Sequence, residues 1–376
     1  MDRFAAYVDL DAVRSNVGEL CRRARDASVM AVVKADGYGH GMAPSARAAL
    51  DGGASWLGVA FLEEALALRA ADITAPVLAW LLAPGEDLAP ALVADIDVSI
   101  SALWALDAVV DAAEGTGRAA RVHLKADTGL GRAGAGDDDW PTLVEAAAKQ
   151  ESEGTVEVVG IWSHLAHADA PGHPTIGRQQ TRFEEAVERA AGAGLHPQLR
   201  HLANSAATLV LPETHYDLVR PGVAVYGLSP GPDVGPARSL GLRPAMTLQA
   251  RVALVKTVAA GQGVSYGHRY TTTANTSLAL VPLGYADGIP RHATNVGPVQ
   301  ISGRRFTISG TVCMDQFVVD VGDTSVAVGD EVILFGPGDD GAPTADEWAA
   351  AVGTINYEIV TRIGPRVPRI YSGERQ

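Results

Sequence analysis

The sequence is short of several things, and each shortage closes off a class of protein. It has two cysteines, Cys21 and Cys313, in 376 residues. That is too few for a disulfide framework, and neither sits in a CxxC pair. No run approaches the ~18 unbroken apolar residues that a membrane-spanning helix requires. The opening MDRFAAYVDL lacks the basic-then-apolar layout of a secretory leader. The expectation is a cytoplasmic protein that does not engage a membrane. Positive charge is also scarce: 30 Lys and Arg against 44 Asp and Glu leave a net charge of −14. Nucleic acid is not an expected partner, because polyanions need a cationic surface. Lysine is rarer still. The 30 basic residues divide into 26 arginines and four lysines, Lys34, Lys125, Lys149 and Lys256. Where arginine carries the routine charge, a lysine at a special position is needed as an amine. Only the amine loses its proton and forms a Schiff base.

What is plentiful is apolar sequence, 47 % of the chain, enough for about two domains of ~150 residues. Short β-branched runs alternate with alanine-rich helical stretches. The runs are MAVVK (30–34), WLGVA (56–60), PVLAW (76–80), DVSI (97–100), RVHLKAD (121–127), EVVGIWSH (157–164), LRHLANS (199–205) and LVRPGVAVYG (218–227). Eight βα units in under 200 residues predict an α/β fold, a compact (β/α)8 barrel of the TIM type; an open doubly wound sheet is the alternative. The earlier run AYVDL stands outside this count and is free to pair with a second domain. After about Arg238 the pattern turns to strands punctuated by Gly and Pro, with a short helix in ADEWAAAVG and a closing stretch TINYEIVTRIG. The expected division is 1–238 for the barrel and 239–376 for a mostly β domain.

In such a barrel the chemistry sits at the C-terminal ends of the strands. There the sequence places Lys34 and Tyr38, then Trp80, then Lys125, Asp127 and Arg132. His164, Asn204, Ser205, Arg220, Gly222 and Val223 follow. Glycines 37, 39 and 41 let backbone approach a ligand beside Lys34. A Schiff-base lysine at a barrel mouth fits aldolases and pyridoxal-phosphate enzymes alike. A phosphate site near strands 7 and 8 separates them, and Ser205 with the backbone of Pro221–Val223 suits an anion there; a simple helix cap is the plain alternative for Ser205. GLGRAG (129–134) matches a dinucleotide fingerprint in form, but three carboxylates follow it at 137–139, and it is rejected. His164, His167, Asp169 and His173 have the look of a metal cluster only in loop spacing, and no metal is expected. Strand alternation puts His123, Lys125 and Asp127 on one face. A buried Lys125 is then either paired with Asp127 or neutral.

In order along nearly the whole chain, AVVKADGYGHG, KADTGLGR, ANSAA, VRPGVAVYG, VSYGHRY, GYADG, VCMDQ and TINYEIVTRI resemble the alanine racemases. The resemblance implies a homodimer with shared active sites, pyridoxal 5'-phosphate as cofactor, and interconversion of L- and D-alanine to supply D-alanine for peptidoglycan. It implies that Lys34 holds the cofactor and serves the D-alanine face, while Tyr266 from the second subunit is the opposing base on the L-alanine face. Arg220 would face the pyridine nitrogen, supported by His164. Tyr38, Ser205, Tyr357 and the backbone of Gly222 and Val223 would hold the phosphate, with Asn204 and Trp80 lining the pocket. Arg132 and the partner's Met314 N–H would take the substrate carboxylate. Lys125 would be N-carbamylated and position Arg132. Two departures stand out. Thr311 occupies the place of an arginine found in several members, and Trp80 that of a smaller aliphatic residue. Related decarboxylases put a carboxylate at the pyridine nitrogen, so Arg220 argues against them; a broad-specificity or serine racemase is the closest rival.

Overall fold

The computed structural model describes residues 3–374. Strand β1 (Phe4–Asp9) is followed by the eight runs singled out above. They are β2 (Ser28–Val32), β3 (Trp56–Val59), β4 (Val77–Ala79), β5 (Asp97–Ile100), β6 (Ala120–Lys125), β7 (Val156–Trp162), β8 (Leu199–His201) and β9 (Leu218–Val219). Each is parallel to its neighbour, and β9 returns to pair with β2. The one remaining seam, β8 to β9, is crossed by Asp217 N–H to Arg200 O at 3.1 Å and Arg220 N–H to Ala203 O at 2.9 Å. The sheet is a barrel, and the open-sheet alternative falls away. Both faces of these strands are covered, one by helices and one by the barrel interior. That is why they read as unbroken apolar runs rather than as alternations: Val77–Ala79 and Asp97–Ile100 are buried at every position.

The helices dock by one apolar stripe. In Leu10–Ala24 the buried set includes Leu10, Val13, Val17, Leu20 and Ala24, three or four residues apart, and Asp9 caps the start by accepting from Asp11 and Ala12 N–H. The helix Pro174–Gly192 starts on His173, whose Nδ1 accepts from Thr175 N–H at 3.2 Å. The His167 ring stacks on that of His173, centroids 3.9 Å apart. The histidine-rich loop is thus a helix entry.

β1 does not join the barrel. It lies between β10 (Met246–Arg251), antiparallel, and a closing strand of the chain, parallel. Between these come β11 (Leu254–Val258), β12 (Gly263–Val264), β13 (Tyr270–Thr271), β14 (Thr276–Val281), β15 (Pro298–Ile301), β16 (Arg304–Thr307), β17 (Phe317–Gly322) and β18 (Glu331–Phe335). The closing strand is β19 (Arg369–Ser372), which the sequence did not mark. They form a six-stranded sheet in the order β16-β15-β18-β10-β1-β19, a three-stranded sheet β11-β14-β17, and the hairpin β12-β13. Here burial does alternate, as along Met246–Arg251, because one sheet face meets solvent. The helix Ala345–Val352 packs Trp348 into this region at 1 % exposure, with its indole N–H bonded to Leu334 O. TINYEIVTRIG holds a second helix, Asn356–Thr361, which carries Tyr357.

Candidate active site at the barrel mouth

Lys34 stands two residues past the end of β2, and the chain after it does something unusual. Ala35, Asp36, Gly37 and Tyr38 all have φ between 52° and 61°, one turn of left-handed helix. Three of the four are not glycine, and such a conformation costs about 1–2 kcal/mol per L-residue. The turn is over-determined by its bonds. His40 Nδ1–H donates to Gly37 O and Tyr38 O at 3.1 and 2.9 Å. Asp36 accepts from Met42 N–H, Glu64 accepts from Ala35 N–H, and Arg369 Nε–H donates to Gly39 O. His40 stacks on Tyr226 at 4.5 Å, and Tyr226 donates to Val32 O at the end of β2. The result turns the Tyr38 side chain inward until it nearly touches Gly222: a Cβ there would lie 2.2 Å from the Tyr38 hydroxyl.

The mouth is cationic. Burial, with Arg132 nearby, holds the Lys34 amine below its ordinary pKa, and its ammonium lies 5.8 Å from the Trp80 ring centroid. Lys125, 5 % exposed, sits 4.2 Å over the Trp162 ring. Its pKa is pushed down to about 8, first by burial and then by Arg220 and Arg132. Asp127 does not pair with it; its carboxylate accepts from Gly129, Leu130 and Gly131 N–H. The same bonds dispose of GLGRAG as a phosphate loop, since a carboxylate already occupies its backbone donors. Arg220 is 4 % exposed and meets no carboxylate among the described residues: it donates to Ser163 O at 2.7 Å, Leu202 O at 3.3 Å, His164 Nδ1 at 3.3 Å and His201 Nδ1 at 3.1 Å. Burial holds its pKa down to about 9, and burial together with Arg220 keeps His164 and His201 neutral.

Beside Tyr38 is a cradle. Asn204, not Ser205, caps the short helix Ser205–Val210 by accepting from Ala207 N–H. Ser205 Oγ instead accepts from Gly222 N–H at 2.8 Å and Ala224 N–H at 3.3 Å, which leaves its own O–H to donate. Gly222 N–H is therefore spoken for. Val223 N–H heads the turn Val223–Tyr226 and has no carbonyl within it to bond. Tyr357 closes the group, its ring centroid 6.2 Å from that of Tyr38.

Two of the sequence candidates are not drawn into this mouth. Tyr266 is 73 % exposed and Met314 52 %. Tyr266 rides a tight turn between β12 and β13 in which Ser265, Gly267 and His268 all have positive φ. Buried Thr311 holds that turn: its hydroxyl donates to Tyr266 O at 2.8 Å, and Ser265 Oγ donates to Thr311 O at 2.6 Å. A cavity of about 750 Å3 lies away from the mouth between the segments 229–244 and 337–357. It shares with the site only Tyr357, on its margin. Among the residues the sequence left unmarked are Trp162, against which Lys125, Arg220 and His201 all pack, and His201 itself. The signal for both was present, since β7 and β8 deliver them to the same barrel interior as Lys125.

A closed α/β barrel with a deprotonatable lysine at its mouth, an anion cradle beside it and an antiparallel sheet domain behind defines a class: barrel enzymes that work on small molecules through a lysine amine. The comparisons with known proteins narrow it. Family models described as alanine racemase N-terminal and C-terminal domains match residues 8–230 and 245–371. An alanine racemase of Frankia casuarinae is 69 % identical over 369 residues, 98 % of this chain and 96 % of that one. The crystal structure of alanine racemase from D-cycloserine-producing Streptomyces lavendulae superposes with a TM-score of 0.99 at 56 % identity, covering 100 % of this chain and 98 % of that one. That from Bacillus anthracis with bound L-Ala-P gives 0.91 at 36 % identity, over 99 % and 95 %. The chain belongs to the alanine racemase family, isomerases that interconvert L- and D-alanine.

Proposed function

We propose that this chain racemises alanine with pyridoxal phosphate held on Lys34, and that Tyr266 from a second copy completes each site in a homodimer. The observation that carries the reading is the Lys34 amine. It is half-buried at the barrel mouth and lowered in pKa, and it makes no hydrogen bond to a carboxylate among the described residues. Glu64, the carboxylate whose charge acts on this amine, is occupied by the N–H groups of Ala35, Ala60 and Phe61.

The residues present fit the cofactor. The Tyr38 hydroxyl, the Ser205 O–H and Val223 N–H are donors without acceptors among the described residues, grouped beside Gly222, where any side chain would strike Tyr38; with Tyr357 they would hold the phosphate, and Asn204 and Trp80 would line the pocket. Arg220 keeps its Nε–H and one Nη1–H without an acceptor among the described residues. Bound there, the cofactor supplies the electron sink that makes an amino-acid Cα–H acidic. Arg220, a fixed cation in place of a carboxylate, keeps a nitrogen bonded to it unprotonated and so restrains side reactions such as transamination. Lys34 Nζ exchanges the Cα proton on the D-alanine face and Tyr266 Oη on the L-alanine face. Arg132 and the Met314 N–H bind the carboxylate. The exposure of Tyr266 and Met314 supports a partner subunit as the place where they act. The free thiols of Cys21 and Cys313 accord with a cytoplasmic enzyme, whose D-alanine would go to peptidoglycan. No helix among the described residues is long and apolar enough to cross a membrane.

The test is chiral analysis of L-alanine incubated with the purified protein and pyridoxal phosphate. D-Alanine rising toward an equal mixture is expected, with L-serine turned over more slowly. Absence of D-alanine from a cofactor-loaded protein would sink the assignment.

Lys125 carries a second expectation. Its pKa of about 8 leaves much of the amine neutral near pH 8. Neutral Nζ can attack CO2, forming an N–C bond and releasing a proton. The product exchanges a positive for a negative charge beside Arg220 and Arg132. Native mass spectrometry in bicarbonate should find one added CO2 that acid removes and Lys125→Ala lacks. An unmodified mass under those conditions would rule it out.

A further inference from the structure

Below the mouth, a line of hydrogen bonds crosses the barrel interior that the reaction as described does not use. Arg220 Nη1 meets His201 Nδ1 at 3.1 Å, His201 Nε2 meets His123 Nδ1 at 2.9 Å, and His123 Nε2 meets Asp97 Oδ2 at 3.2 Å. Asp97 is in turn held by Arg121, Nε to Oδ1 at 3.0 Å. Both histidines are fully buried, and Asp97 is 2 % exposed. Donor chemistry permits one proton order. A guanidinium only donates, so His201 Nδ1 must carry a lone pair and its Nε2 the proton. His123 Nδ1 must then accept, which puts the His123 proton on Nε2, facing Asp97. While these bonds hold, His201 takes no second proton.

The barrel is shaped around this line. His123 lies opposite Gly160 on β7, and a Cβ at Gly160 would fall 2.5 Å from His123 Nδ1. The His201 ring stacks on Trp162 at 5.7 Å with an interplanar angle of 1°, and the Trp162 indole is pinned to Ser99 Oγ at 2.8 Å. The edge of Trp56 meets His123 at 5.7 Å. These contacts restrict the rings, but contacts with carbon do not choose a tautomer. Asp97 does.

We propose that Asp97 and His123 are positioning residues for Arg220: they lock His201 as the Nε2–H tautomer, so that Nδ1 always offers the guanidinium a lone pair. The inference rests on Arg220 acting at the cofactor as proposed above. Arg220 is a buried cation whose other partners are backbone carbonyls and neutral His164. Were the His201 proton on Nδ1, an N–H would face the guanidinium, and the side chain would lose both an acceptor and its orientation. A carboxylate at the barrel floor thus sets the state of the cation at the mouth without touching it.

The test reads tautomers directly, from imidazole nitrogen resonances of 15N-histidine-labelled protein, in the holoenzyme and in the cofactor-free protein. The parent should have His201 and His123 protonated on Nε2 alone in both. Asp97→Leu removes the acceptor of the His123 proton. It should give mixed His201 tautomers, a shifted absorption band of the bound cofactor and kcat about 10-fold lower, the scale of one hydrogen bond to a charged group. The KM for alanine should stay within about twofold, because substrate contacts are unchanged. Asp97→Asn keeps an acceptor oxygen and should restore the parent tautomer, band and rate. If Asp97→Leu fails to fold, Gly160→Ala breaks the line at His123 while leaving Asp97 and Arg121 in place, and the same changes are expected. A parent tautomer in either breaking variant overturns the proposal. So does an Asn variant that behaves like Leu, which would make the charge and not the proton order the cause. A tautomer change that leaves band and kcat at parent values overturns the positioning role. Tautomers are read without turnover, so a parent protein that does not racemise alanine defeats the functional reading alone.

Discussion

Lys34→Ala and Tyr266→Phe are expected to fail in different ways. Without the Lys34 amine there is no covalent attachment and no base on one face, so conversion stops in both directions. Without the Tyr266 hydroxyl only one face loses its base. Interconversion should drop by about 10²–10⁴-fold, the usual contribution of a positioned acid or base. Yet the Cα proton of D-alanine should still exchange with deuterium from solvent while L-alanine stays unexchanged. Proton NMR in D2O, each enantiomer alone, reads this in one experiment. Stability should not change, because Tyr266 is 73 % exposed on this chain and its backbone turn is held by Thr311 and Ser265, not by its ring. Equal residual exchange from both enantiomers would remove Tyr266 as the opposing base.

Acid should destabilise the protein through its buried histidines as well as its carboxylates. His40 is fully buried; Nδ1–H is spent on Gly37 O and Tyr38 O, and Nε2 has no partner among the described residues. Burial lowers its pKa from 6.5 to about 4. The sign follows from proton counts: between pH 6.5 and 4 the unfolded chain binds a proton that the folded chain refuses, so stability falls as pH falls through that window. From pH 7 to 4.5 the loss from His40 comes to about 2.5 kcal/mol. His201 and His164 are also held low by burial and add in the same direction. Urea unfolding of parent and His40→Asn at both pH values tests this. The variant, which keeps a donor toward the two carbonyls but cannot titrate, should lose about 2.5 kcal/mol less. Equal losses would mean that His40 is already protonated in the native protein.

The barrel was legible because its strands are covered on both sides and so announce themselves as apolar runs at regular spacing. Lys34 was legible because such a run ends in an amine the rest of the chain almost never uses. Hydrogen bonds were less so. Ser205 read as a helix cap or an anion donor; in the fold Asn204 caps the helix, and Ser205 ties down Gly222 and Ala224. Asp127 and Lys125 share a strand face, yet the carboxylate turns to the backbone of the following loop. A side chain's choice between a neighbour and a nearby N–H depends on loop geometry, which periodicity does not encode. The line from Arg220 to Asp97 was beyond reach for a different reason. His123 and His201 are 78 positions apart, and their meeting depends on the stagger of three strands, including a register shift beside His123. Strand β19 was missed because four residues at the end of a Gly- and Pro-rich stretch carry too little pattern.

β1 has a bearing on how the molecule is made. Phe4 pairs with Ala250, and Ala6 with Arg369. A ribosome delivers the first of these strands before the barrel and its neighbours after it, so β1 has no strand partner until the whole barrel has emerged. Contacts of such sequence separation slow folding. They also mean that the β-rich sheet has no complete version without the N-terminal strand: expressed alone, it would expose the edges of β10 and β19 that β1 now covers. A cut near the end of the barrel would part the second sheet from one of its own strands.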